Sequence, residues 1–130
     1  MNYREYFENT KGTGTGVLST ASRDGRVDSA LYSRPHVMED GSFAFIMHDR
    51  LTHSNLQENP YAVYLYIEEG SGFSGKRLYL KKLKETSDPE RIAALRRRTS
   101  REEKKEDTLY LVYFSLEREL PLIGAGEQNE

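Results

Sequence analysis

The chain of 130 residues contains no cysteine and no tryptophan, and only four prolines. The lack of cysteine excludes disulfides, thiolate metal sites and thiol catalysis. No stretch approaches the roughly 20 apolar residues that a membrane-spanning helix needs, and residues 1–12 lack the apolar core of a signal peptide. We therefore expect a cytoplasmic protein.

An excess of charge of one sign is also missing, because 19 Lys and Arg oppose 21 Asp and Glu and give a net charge of −2. Twelve of the 19 basic residues lie within residues 76–107. Acidic residues alternate with them there, a pattern typical of a solvated helix face. Nucleic acid is therefore not the expected partner, although a non-catalytic binding module that uses residues 76–107 stays an alternative.

Aromatic side chains are plentiful, with nine Tyr and five Phe, and they can build a core despite a hydrophobic content of only 36%. The length corresponds to one domain, which we expect to span residues 1–130. Residues 1–16 are predicted to form a helix and a flexible lead-in. Residues 124–130 are predicted to be a disordered tail.

Short runs with strand character alternate with turn residues along the chain. Six strands are predicted, over residues 17–21, 27–33, 43–47, 61–67, 77–84 and 108–116. Three helices are predicted, over residues 2–9, 51–59 and from residue 87 onward. Asp24-Gly25 and Asp40-Gly41 predict tight turns, so the first three strands are expected to form a meander. This order favours a mainly β fold, a six-stranded antiparallel barrel with short helices.

The segment from Met47 to Pro60 is the most informative for function. A strand leads through a turn with Arg50 into a helix whose first turn offers the hydroxyls of Thr52 and Ser54. A helix start has unpaired N–H donors and partial positive charge, and arginine can bind two phosphate oxygens, so this segment suits a phosphate group. Spacing alone favours a structural interpretation, in which Thr52 or Ser54 caps the helix and Ser54 forms a capping box with Gln57.

Arginine and histidine side chains near this segment offer further candidates. Arg34 precedes Pro35, which favours an extended backbone from which the guanidinium could reach a phosphate or form a surface salt bridge. The three histidines are His36, His48 and His53, and we expect surface or ligand-edge roles for them, with no metal site. The sequence contains no recognisable pairing of a nucleophile with a base, so catalytic residues stay unknown.

The order of these motifs resembles the FMN-binding split-barrel family that includes pyridoxamine 5′-phosphate oxidase. The resemblance covers nearly the whole chain. It depends on the segments Val17-Leu18-Ser19-Thr20-Ala21 with Asp24-Gly25, Asn55-Leu56 with Asn59-Pro60, Gly75-Lys76-Arg77-Leu78 and Ser87-Asp88-Pro89-Glu90. It implies a split β-barrel that works as a homodimer, with FMN between the two subunits.

The resemblance also implies which residues bind FMN. Those expected at the phosphate are Arg50, Thr52, His53 and Ser54, with Thr52 where relatives often have lysine. Those expected to border the isoalloxazine ring are Tyr32, Ser33, Arg34, Pro35, Met47, His48 and Asp49. In such a protein the flavin transfers the electrons, and the chain supplies binding and orientation.

The function expected from the resemblance is that of an FMN flavoprotein, an oxidoreductase whose substrate the sequence does not identify. Pyridoxamine-phosphate oxidation itself is not expected, because only Arg118 follows the core of the last strand and no histidine does. A deazaflavin or a haem in place of FMN is the alternative ligand, with His36 or His48 as the iron ligand in the haem case.

Overall fold

The fold is known from a computed structural model, which describes residues 1–10, 13–70, 72–96 and 108–124. The elements formed there are α1 (Tyr3–Thr10), β1 (Thr15–Ala21), β2 (Val27–Leu31), β3 (His36–Val37), β4 (Phe43–His48), α2 (Leu51–Glu58), β5 (Tyr61–Ile67), β6 (Gly75–Thr86), α3 (Pro89–Leu95) and β7 (Leu109–Pro121). The strands pair in the order β2-β1-β5-β6-β7-β4-β3 and every pair is antiparallel. Within the described ranges no helix has the length and hydropathy to span a bilayer.

The mainly β fold with short helices was predicted correctly, but the count of six strands and the meander were wrong. The seventh strand is β3, only two residues long, which is too short to give a periodic pattern. The chain leaves β2 at Leu31 and passes through the buried Pro35 before it pairs again. Strands β2 and β4 therefore lie in different parts of one sheet, and β4 pairs with the distant β7.

The turn and helix boundaries follow the sequence closely. Gly25 and Gly41 have φ of 85° and 88°, the left-handed conformation that the two Asp-Gly turns require. Pro60 follows the end of α2, and Asp88 caps α3 by accepting a hydrogen bond from the N–H of Glu90. The predicted tail lies, apart from its first residue, outside the described residues, as do residues 97–107 of the basic segment.

The core consists of two clusters on opposite faces of β4 and β7. The larger one contains Phe7, Leu18, Phe43, Phe45, Met47, Leu56, Ala62, Tyr64, Tyr66, Leu78, Leu80, Val112 and Phe114. The smaller one contains Ala44, Ile92, Leu111 and Tyr113 and is covered by α3. Alternate residues of β4 and β7 belong to the two clusters, because successive residues of a strand face opposite sides of the sheet.

A hydrogen bond from the core fixes the end of β2. The hydroxyl of Tyr64 donates to the carbonyl of Tyr32 over 3.0 Å. Gly16 makes room for this contact, because a Cβ at that position would lie 1.9 Å from the Tyr64 Oη. Tyr32 is therefore held in place at the point where the candidate site begins.

Basic side chains of β6 and α3 have partners within the chain. The pairs are Lys76 with Glu119, Lys81 with the Tyr61 ring, Lys82 with Glu85, Lys84 with the Tyr113 ring and Arg91 with the Tyr113 hydroxyl. These contacts give the described part of the basic segment a structural role.

Candidate functional site

The junction between β4 and α2 leaves the start of the helix without a side-chain cap. Arg50 occupies the N-cap position in an extended conformation and is exposed. The predicted caps were wrong, because Thr52 and Ser54 lie inside the helix, whereas a cap must precede the N–H groups that it binds. The predicted capping box was wrong as well, since the amide of Gln57 donates instead to the His53 carbonyl and to Glu85. The first N–H groups of α2 therefore have neither an intrahelical nor a capping partner.

Three residues that were predicted to contact the phosphate or the isoalloxazine ring, Tyr32, Arg50 and Thr52, meet at this helix start. The ring of Tyr32 packs edge-on against Phe45 with 5.9 Å between centroids, and its hydroxyl is influenced by Thr52 and Arg50. Burial raises the pKa of Tyr32, while Thr52 and the positive charge of Arg50 act in the opposite direction. Thr52 is only 5% exposed, so its hydroxyl is fixed within the wall of the site. Ser54 lies exposed on the same turn.

The fourth residue that was predicted to bind the phosphate, His53, faces two carboxylates. Its Nδ1 lies 2.8 Å from the Asp49 Oδ1 and its Nε2 lies 2.9 Å from the Glu85 Oε2. Its ring stacks on Tyr110 with 4.0 Å between centroids. Contact of His53 with a phosphate stays a prediction, and the structure gives both of its ring nitrogens carboxylate partners.

Sequence reasoning missed Glu85 and Tyr110 because both are far from α2 along the chain. Asp49, His53 and Gln57 follow each other at intervals of four residues, a spacing that places side chains on one side of a helix. This spacing is the one sequence signal for their contact. The partners from β6 and β7 follow from strand register, which no local pattern specifies.

The other residues predicted to border the isoalloxazine ring lie in the segment after Tyr32 and at the end of β4. Arg34 and Pro35 line a groove of about 350 Å³ between α1 and β3, with Arg4 and Phe7 on its other side. Ser33 is exposed, whereas the side chain of Met47 lies in the larger core cluster.

His48 ends β4 and pairs with Leu109 of β7, and Asp49 leads from the strand into the helix. His36 lies in β3 beside the same groove. Over the ranges that the structure describes, no group of three His, Asp or Glu side chains has the arrangement of a metal site.

The donor set at the start of α2 fits a phosphate group. It combines one guanidinium, two hydroxyls and free backbone N–H groups, all of which favour an anion. The groove lined by Arg34 and Pro35 has partly apolar walls, and none of the residues that line it belongs to the start of α2. The start of α2 can therefore hold the anionic end of a ligand.

Comparison with known proteins identifies the fold. No protein-family profile and no curated protein matches the sequence. Solved structures do match. An FMN-binding protein from Syntrophomonas wolfei is 20% identical with a TM-score of 0.67, over 92% of this chain and 83% of that one. An F420 reductase is 14% identical with a TM-score of 0.64, over 81% and 87%. A Listeria innocua protein named as a candidate pyridoxamine 5′-phosphate oxidase is 15% identical with a TM-score of 0.61, over 92% and 96%.

These likenesses extend over nearly the whole chain. The chain therefore has the split-barrel fold of the pyridoxamine 5′-phosphate oxidase-like proteins, as the order of its sequence motifs predicted. Identities of this size establish a common fold, and the function has to be argued from the site.

Proposed function

We propose that the protein is an FMN-binding flavoprotein that acts as an oxidoreductase, with the FMN phosphate bound at the start of α2. The observation that supports this most directly is the meeting of Arg50, Thr52 and Tyr32 at a helix start that has no cap. The fold adds support, because one protein with the same fold is named as FMN-binding.

Each part of the site has its own task in this proposal. Arg50, Thr52 and Ser54 bind the phosphate together with the first N–H groups of α2. The ring borders residues 32–35 and the end of β4, over residues 47–49, where backbone groups provide contacts. Bound FMN would supply electron transfer to and from the substrate, and the chain binds it and limits access of water.

A homodimer is part of the proposal, because the outer face of the sheet beside the site is apolar. Val17 of β1 lies between Leu31 of β2 and Leu65 of β5 in the strand register, and all three point away from the core. Leu31 is 76% exposed and directly precedes Tyr32. A second copy that covers this face would bury apolar surface and reach the site. A cytoplasmic location stays a prediction from the sequence.

A deazaflavin is the second candidate ligand. One structure with the same fold is named as an F420 reductase, and a deazaflavin of this kind also combines a flat ring system with a phosphate on its side chain. Haem, with His36 or His48 as the iron ligand, is the third ligand to be tested.

The first experiment is the visible absorption spectrum of the purified protein with mass analysis of the released ligand. FMN with a flavin spectrum is the expected result, F420 would replace FMN in the proposal, and a Soret band would indicate haem. A colourless protein that binds neither added FMN nor added F420 would contradict the flavoprotein proposal.

The site itself is tested by Arg50→Ala. Loss of a charged hydrogen-bond donor to the phosphate is expected to weaken FMN binding about tenfold or more, measured by titration of flavin fluorescence. Arg26→Ala is the matched control, because Arg26 is an exposed arginine in the turn after β1, where its partner is Asp24. Equal weakening of FMN binding by both variants would contradict a phosphate site at the start of α2.

A further inference from the structure

A buried histidine joins the start of α2 to strand β6. His53 lies in the first turn of the helix and its side chain is only 6% exposed. Its two ring nitrogens face the carboxylates of Asp49 and Glu85, at 2.8 and 2.9 Å. A carboxylate only accepts hydrogen bonds, so a ring nitrogen that carries a proton can donate to the carboxylate beside it. The ring is further fixed by stacking on Tyr110 of β7.

Glu85 reaches His53 because of an irregularity in β6. Lys82 pairs with Phe114 and Lys84 pairs with Tyr113, so Leu83 is an extra residue, a β-bulge. In a regular strand, residues three apart face opposite sides of the sheet. The bulge brings Lys82 and Glu85 to the same side, where the Lys82 Nζ lies 2.6 Å from the Glu85 Oε1.

These contacts hold the segment where the phosphate is proposed to bind. Asp49 directly precedes Arg50, and His53 directly follows Thr52. Because Arg50 gives α2 no side-chain cap, the helix start depends on such contacts for its position. Arg50 and Thr52 thus lie between Asp49 and His53, which contact each other. His53 also contacts Glu85, which belongs to β6.

We propose that His53 is a positioning residue, which holds the β4–α2 turn and its N–H groups in the arrangement that binds a phosphate. This inference rests on the proposed function, since it assigns a task within the same site. It also gives His53 a role other than the direct phosphate contact expected from the sequence. The charged and polar groups that face the ring are Asp49, Gln57 and Glu85, with Lys82 behind Glu85.

The test compares two ligands that differ only in the phosphate. In His53→Gln and Glu85→Gln, the dissociation constant of FMN is expected to rise about tenfold, as is common when a residue that supports a ligand-binding group is lost, while that of riboflavin changes by less than about threefold. A merely structural role would weaken both ligands equally. Equal changes for FMN and riboflavin, or none for either, would overturn the proposal.

Two matched variants separate positioning from a general loss of stability. Leu56→Val alters the same helix at a core position that is 3% exposed, so it is expected to lower stability without changing the ratio of the two dissociation constants. Lys84→Gln alters β6 next to the bulge but on the opposite face, over Tyr113, and is expected to leave the ratio unchanged.

Hydrogen exchange without any ligand distinguishes this inference from the proposed function. Amides of residues 49–54 are expected to exchange faster in His53→Gln than in the natural protein, with no change in residues 61–67. If the natural protein binds FMN no more tightly than riboflavin, the proposed phosphate site is contradicted. Unchanged exchange at residues 49–54 would overturn the positioning role, whatever the flavin data show.

Discussion

The carboxylate of Glu85 shows how one side chain is tuned by its neighbours. Burial alone would raise the pKa of Glu85, but hydrogen bonds from Lys82, Gln57 and His53 together lower it to about 2, from an ordinary value of 4.5. The ionised form is therefore stabilised by folding. This carboxylate is an anchor of the α2 start and contributes to stability as long as it is charged.

A pH dependence of stability follows from the direction of this shift. Because the folded pKa lies below the unfolded one, the contribution is complete above pH 4.5 and is lost as the pH falls towards 2, at most about 2 kcal/mol after screening by solvent. Urea unfolding at a series of pH values is expected to show a flatter profile for Glu85→Gln between pH 5 and 2. Glu69→Gln, at an exposed position, is the control. Identical slopes for Glu85→Gln and the natural protein would contradict the prediction.

At the scale of elements, strand β1 depends on a position without a side chain. A Cβ at Gly16 would lie 1.9 Å from the Tyr64 Oη and 2.4 Å from the Tyr32 carbonyl oxygen. Gly16→Ala is therefore expected to push β1 from the Tyr64 side chain and to cost about 2 kcal/mol or more in the free energy of unfolding, measured in urea. Gly72→Ala is the matched control, since a Cβ there meets nothing within 4 Å. Equal stability of the two variants would show that β1 can adapt.

Element boundaries that depend on local residues could be predicted from the sequence, and those that depend on pairing could not. The strand propensity of residues 61–67 predicted β5 with both of its ends, and Asp88 with Pro89 predicted the start of α3. The two-residue β3 and the bulge at Leu83 arise from register between distant strands. No local propensity specifies such features.

The same distinction applies to the candidate site. The helix start with Arg50 and Thr52 could be located from the residues that surround it, because a strand, a turn and a helix stop follow each other there. The orientation of His53 could not, since its partner Glu85 is 32 residues away and faces α2 only through the bulge. The position of the helix is thus determined by residues close to it in the sequence. The direction of the His53 side chain depends on residues that are distant in the sequence.

At the scale of the whole molecule, the apolar outer face of β2, β1 and β5 predicts self-association. Leu31→Lys places a charge in the middle of the proposed subunit interface and is expected to give a monomer with weakened FMN binding, as seen by light scattering and flavin titration. Phe73→Lys is the control, because Phe73 is 81% exposed in the loop before β6. A Leu31→Lys protein that keeps both the mass of the natural protein and its FMN affinity would contradict the proposed interface.

The tyrosine-rich interior also determines how the molecule can be observed by light. Without tryptophan, the ultraviolet emission of the chain comes mainly from tyrosine. Tyr64 and Tyr66 stack in the core, and Tyr64 touches the carbonyl of Tyr32 at the candidate site. A yellow chromophore bound beside Tyr32 would accept excitation energy from these rings. Dimming of tyrosine emission would therefore report the arrival of such a ligand in unlabelled protein.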